Sequence, residues 1–171
     1  YNGVAILSKN PIDDITYGLK GDDTDNQSRY IEAETAGIVI ASIYLPNGNP
    51  VDSEKFPYKI KWMDRLLMRV HELILSESSF ILGGDYNVCP ENTDVYDTEL
   101  FKEDALCHPE SRSRFRSLIN LGLTEAFRAC NPNETNKYSY WSYQGGAWRK
   151  DDGLRIDHLL LSPILADKLE L

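Results

Sequence analysis

Cysteine is scarce in this chain and does not cluster. Cys89, Cys107 and Cys130 form no CxxC pair and stand far from two of the three histidines, which excludes a zinc ribbon or a disulfide framework. A reducing compartment fits. Long apolar runs are missing too: none reaches the roughly 18 residues that a membrane-spanning helix needs, and no secretory leader pattern is visible. Internal repeats and low-complexity segments are absent. Positive charge is in deficit, with 18 Lys and Arg against 27 Asp and Glu and a net charge of −9. A uniformly basic nucleic-acid-binding surface is therefore excluded.

What is present fits one globular domain over residues 1–171. At 171 residues and 42% apolar content, such a chain buries roughly 70% of its unfolded surface. The charge is also unevenly spread. Glu91, Asp94, Asp97, Glu99, Glu103 and Asp104 face only Lys102, whereas Arg112, Arg114, Arg116 and Arg128 face only Glu125 between Ser111 and Arg128. Each cluster reads as a solvated loop or helix face, or as a local binding feature.

Along the chain, "GVAILSK" and "RYIEAETAGIVIASIYLP" read as strands, with Gly37 offering a hairpin turn. A helix is predicted from about Ser53 to Glu77, with Pro57 in its first turn and Met63, Leu67, Val70 and Ile74 along one stripe. "SFILGGD" is a short apolar strand, followed by the acidic loop and an Arg-bearing helix from about Glu110 to Leu121, closed by Gly122. "YSYWSY" and "LRIDHLLLS" read as closing strands. Strands and helices mix without a strict βαβ repeat, so the class is α/β with mixed strand direction.

Two stretches carry polar groups where apolar ones are expected. In "GGDYN", the two glycines let the backbone turn, so that Asp85 and Asn87 emerge at a sheet edge; ordinary turn capping is the rival explanation. In "GLRIDHLL", a period of two places Arg155 and Asp157 on one face, about 7 Å apart, opposite Ile156 and His158. A buried Asp157 needs a partner: Arg155, a histidine, a metal or a polar network. His158 points to the other face and reads as a core residue.

"SIYLPNG", "GGDYNVCP" and "GLRIDHLLLS", in this order, resemble the exonuclease III family of apurinic/apyrimidinic (AP) endonucleases. The resemblance extends through "GDDTDNQSRYIEAE", "KFPYKIKWMDRL", "LTEAFRACNP" and "YSYWSY". It implies a four-layer α/β sandwich of the deoxyribonuclease I type, with two mixed sheets flanked by helices. It also implies metal-dependent hydrolysis of DNA phosphodiesters at abasic sites and 3′ ends, in base excision repair. Mg²⁺ or Mn²⁺ is the implied cofactor and damaged double-stranded DNA the implied partner. No membrane is implied, and the complete enzyme is expected to be a monomer in a bacterial cytoplasm, acting at the nucleoid.

The resemblance assigns roles by position. Asp85 matches the carboxylate that activates the attacking water, and Asn87 the amide that orients it or supports the phosphate; both are candidate metal contacts. Tyr44 matches the tyrosine set against the scissile phosphate. Asp157 matches the aspartate that orients a catalytic histidine. Asn47 falls where the backbone of DNA approaches, and Trp141 with Ser142 on the loop facing the lesion. Tyr140 and Leu154 are the expected apolar walls of the abasic pocket. Asn49 and Pro50 stand where some members carry a groove-probing arginine, so groove insertion is not implied here.

The family's terminal Asp-His lies beyond "ADKLEL", and its metal-binding Glu lies before "YNGVAILSK". The chain is therefore expected to be truncated at both ends, with its principal metal ligand outside it, and to be inactive alone. Another metal phosphodiesterase of the same superfamily, and an inert DNA-binding remnant, remain the alternatives.

Overall fold

The runs of Ile, Val, Tyr and Leu pair into one mixed sheet in the computed structural model, which describes residues 2–170. The strands are β1 (Asp13–Tyr17), β2 (Tyr30–Thr35), β3 (Ile38–Tyr44), β4 (Phe80–Asp85), β5 (Thr124–Glu125), β6 (Tyr140–Trp141), β7 (Gly153–Leu154) and β8 (Asp157–Leu161). The helices are α1 (Lys55–Leu75), α2 (Pro109–Asn120), α3 (Ala126–Cys130), α4 (Ala147–Lys150) and α5 (Pro163–Ala166). The large sheet has the order β1-β2-β3-β4-β8-β5. β3 and β4 are parallel, and every other neighbouring pair is antiparallel. β6 and β7 form a separate two-stranded ribbon.

Local chemistry explains the connections. Ala36 and Gly37 both have positive φ, 52° and 76°, which suits the two-residue turn that closes the β2–β3 hairpin. A parallel pair needs a crossover, and α1 supplies it between β3 and β4. Its Trp62, Met63, Leu66 and Val70 bury against Phe80 and Leu82 of β4 and Leu160 of β8, and α2 adds Phe115 and Leu118. Burying each such large side chain contributes about 1.5–3 kcal/mol. Of the expected stripe, Met63 and Val70 are buried, while Leu67 and Ile74 lie at its partly buried margin.

The α/β class stands, with one large sheet and the ribbon built by the described residues. Among those residues, no helix is long and apolar enough to cross a membrane. Three local expectations are corrected. Residues 3–9 form no strand, because extended chain becomes a strand only where a ladder partner accepts it; Leu7 is left 92% exposed. Gly83 and Gly84 do not make a turn but lie within β4, where a Cβ on Gly84 would stand 2.0 Å from the Ile43 carbonyl oxygen. Asp85 consequently ends a central strand rather than an edge.

"LRIDHLLLS" is not one strand. The chain leaves the ribbon after Leu154 and enters the large sheet at Asp157. Arg155 turns inward in this crossing, and Asp94 accepts its Nε at 2.8 Å while Glu125 pairs with its Nη1 at 3.2 Å. Asp157 is exposed and has no contact with Arg155 among these pairs. His158 is a core residue, as the period of two indicated. Its Nδ1 accepts from Arg155 at 3.1 Å, which leaves Nε2–H to donate to the Val88 carbonyl at 2.9 Å.

Candidate active site

Strand register brings three of the predicted residues side by side. Tyr44 at the end of β3 is paired with Asp85 at the end of β4, and Asp85 is paired with Asp157 at the start of β8. Neighbouring strands stand about 4.8 Å apart and paired residues share a face, so the phenol and two carboxylates form a row. The row lies at the carboxyl ends of the parallel strands, where ligands of open α/β sheets gather.

Asn87 locks onto this row. It has a positive φ of 47°, a conformation that Asn tolerates, and this folds the loop back over the strand end. Its backbone N–H donates to Asp85 Oδ1 at 2.8 Å and its Nδ2 to Asp85 Oδ2 at 3.1 Å. The same Nδ2 donates to the Leu45 carbonyl at 2.8 Å, and Asn87 Oδ1 accepts from Asn47 Nδ2 at 3.0 Å. Asn49 in turn clasps both oxygens of Asp104 at 3.0 Å, tying the loop after β3 to the acidic segment.

Burial pushes the Asp85 carboxyl up to about 6, and the neighbouring Asp157 adds to the rise; hydrogen bonds from Asn87 and the charge of Lys59 oppose it. Lys59 is itself fully buried, and burial lowers its ammonium to about 7 against the pull of Asp104 and Asp85. Sequence reasoning passed over this lysine. The available signal was its place between Phe56 and Met63 on the buried side of α1, where a charge needs explaining. It also missed Arg29, whose guanidinium lies 4.8 Å from the centre of the Tyr44 ring and donates to the Tyr44 carbonyl.

Asn47, which bonds to Asn87, also lines a cavity of about 550 Å³ together with Tyr140, Ser142 and Leu154; Tyr44, Asp85, Asn87 and Asp157 are not in its lining. Trp141, expected on the same loop, is not among the residues that line it. In the ribbon Tyr140 is paired with Leu154 and Trp141 with Gly153, and alternation sends the two pairs to opposite faces. The Trp141 indole packs 4.6 Å from Trp148 and donates to Asp151 at 3.0 Å. The acidic segment is likewise not merely solvated. Asp94 is fully buried and paired with Arg155 and Arg128, so part of the local acid meets part of the local base.

Metal chemistry asks for hard oxygen donors, and the row supplies them in part. Asp85 and Asp157 place two carboxylates at paired positions, a repulsive arrangement that a divalent cation relieves. Among the described residues no group of three His, Cys, Asp or Glu is set to hold an ion. Asp85, Asn87 and Asp157 therefore fit as a partial set of oxygen donors, to be filled by substrate, water or further ligands.

The model of the Endonuclease/Exonuclease/phosphatase family matches residues 1–168. A protein named exodeoxyribonuclease from Bacillus subtilis is 29% identical over 99% of this chain and 67% of its own length. One named DNA-(apurinic or apyrimidinic site) endonuclease, from Dictyostelium discoideum, is 28% identical over the whole chain and 47% of its own length. Among solved structures, a 3′ phosphatase from Neisseria bound to a product DNA hairpin superposes with a TM-score of 0.89 at 34% identity, covering 94% of this chain and 62% of that one. The chain thus spans roughly half to two thirds of the relatives it matches.

Proposed function

Since the chain belongs to the Endonuclease/Exonuclease/phosphatase family, whose nucleases are metal-dependent, we propose that it forms the phosphate-attacking part of an exodeoxyribonuclease III-like DNA repair enzyme. The observation that carries this reading is the row of Tyr44, Asp85 and Asp157 on three adjacent strands, with Asn87 fastened to Asp85 and bonded to Asn47, which lines a cavity. The substrate is double-stranded DNA with an abasic site or a damaged 3′ end. The names of the relatives, an exodeoxyribonuclease, an AP endonuclease and a 3′ phosphatase, support a phosphate ester of DNA as the common target.

In this reading Asp85 accepts the proton of the attacking water. Its raised pKa brings it close to the working pH, which favours that transfer. Asn87 holds the carboxylate in place through its backbone N–H and Nδ2. Tyr44 donates its phenolic hydrogen to a phosphate oxygen as charge builds there. Asp157, at the register position beside Asp85, orients the catalytic histidine that the resemblance implies. Mg²⁺ or Mn²⁺, held by Asp85 and Asn87 and further ligands, would screen the phosphate charge and acidify bound water. Tyr140 and Leu154 give the cavity apolar walls that accept a sugar without a base and exclude a normal nucleotide. The enzyme works as a monomer in the cytoplasm.

The full-length protein, incubated with Mg²⁺ and a duplex carrying one synthetic abasic site, is expected to cut the strand at that site. EDTA should abolish the cut, and an undamaged duplex should be cut far more slowly. No metal-dependent incision, or equal incision of the undamaged duplex, would sink the reading.

A further inference from the structure

The buried side of α1 contains two charges, Lys59 and Arg65, and Arg65 is paired with Asp25 at 2.7 Å. Phe56, Met63, Leu66 and Val70 pack inward, and Lys59 lies among them with no exposed surface. A buried ammonium is costly unless its donors are met, and such groups are usually found against carboxylates. Lys59 is different. Among the described residues no carboxylate pairs with it, and its Nζ donates to two backbone carbonyls instead: that of Asn87 at 2.6 Å and that of Asn47 at 3.0 Å.

These two carbonyls belong to the loops that leave β3 and β4, and both loops carry site residues. Asn47 and Asn87 also bond to each other through their side chains, and Asn87 holds both oxygens of Asp85. One chain of contacts therefore runs from the Lys59 ammonium through the Asn87 main chain to the Asp85 carboxylate. The surrounding sequence fits the lysine stem. A Cβ on Gly48 would meet Lys59 Cδ at 2.6 Å, so glycine at that position keeps the corridor open. Asn87 has a positive φ that Asn tolerates, and Lys59 adds to its hold with a contact at the carbonyl.

We infer that Lys59 is a positioning residue of the reacting centre: its ammonium ties the loops after β3 and β4 together and so fixes Asn87, and through it Asp85, against the phosphate. It touches neither substrate nor water and acts only through these loops. The inference rests on the function proposed above for its kinetic part, and on the geometry alone for its structural part.

The test uses the full-length protein with Lys59→Met, which keeps the length and apolar stem and removes the donors. On an abasic duplex with Mg²⁺, kcat is expected to fall about 100-fold while KM stays within about threefold, because the interaction lost is one that aligns the reacting groups. Amide hydrogen exchange in residues 45–49 and 86–89 should become faster, with the amides of α1 and the unfolding midpoint nearly unchanged. Lys59→Arg, which retains charge and donors, should recover at least a tenth of the parental kcat, about a tenfold gain over Lys59→Met. Parental kcat in Lys59→Met would overturn the inference, as would unchanged exchange in both loops. Should the full-length parent fail to cut abasic DNA, the functional reading falls and the exchange measurement alone decides the clamp. Should Lys59→Met not fold, Lys59→Gln, too short to reach both carbonyls, carries the same expectations.

Discussion

Asp85 and Asp157 stand opposite each other across the antiparallel β4–β8 pair, two carboxylates at one register position. Their repulsion adds to the burial that pushes Asp85 up to about 6. In metal-free full-length protein, the Asp85 carboxyl carbon followed by NMR should therefore titrate near 6. Asp157→Asn removes one of the raising causes and should lower that midpoint, and Mg²⁺ should lower it further if the pair shares a cation. A midpoint near 4 in the parent, unmoved by either change, would contradict the assignment.

The same shift makes a statement about stability. A carboxyl whose folded pKa lies above its unfolded value contributes stability that is fully present below 3.8 and lost as pH rises through about 6. The displacement corresponds to as much as ~3 kcal/mol for the metal-free protein. Thermal unfolding without metal should show the parent losing stability between pH 4 and pH 7 relative to Asp85→Asn, in which this group cannot titrate. Parallel curves for the two proteins would count against a raised Asp85.

Asp94 is fully buried and is held by Arg155 and Arg128. Asp94→Ala leaves the Arg155 guanidinium, among the described residues, with only Glu125 as its acidic partner, and removal of one member of a buried pair costs about 3–5 kcal/mol. The unfolding midpoint should fall by several degrees. A drop within the error of measurement would mean that the network contributes little to the fold.

The cavity is lined by Tyr140 and not by Trp141. Tyr140→Ala should reduce the ratio of kcat/KM on abasic over intact duplex by about tenfold, roughly 1.4 kcal/mol, because it opens a cavity wall. Trp141→Ala should leave that ratio within about threefold and instead loosen the ribbon, whose indole cluster it removes. The opposite ordering of the two variants would mean that the indole reads the lesion.

Much of the fold was legible where a local period governed it. The β2–β3 hairpin, α1, α2 and β4 lie within a few residues of their expected bounds, because apolar spacing and turn residues act within one element. β1 was missed because its "DDITY" is mostly exposed and has only Ile15 and Tyr17 as apolar residues; it exists through its pairing with β2. The positions of Tyr44, Asp85, Asn87 and Asp157 could be read from motifs, but not their cross-strand register. The packing partners of Arg155, Trp141 and Lys59 went unread for one reason. Each takes its direction from partners distant in sequence, Asp94 for the first, Trp148 and the ribbon for the second, and the carbonyls of Asn47 and Asn87 for the third.

The central claim is that Asp85 is the proton acceptor at the head of this row, and single-turnover incision of an abasic duplex tests it most directly. In full-length protein with saturating Mg²⁺, Asp85→Asn keeps the shape of the side chain and removes the base. The incision rate should fall by about 100-fold or more, about 3 kcal/mol, with duplex affinity and the near-ultraviolet circular dichroism retained. A variant that cuts at the parental rate would contradict the account.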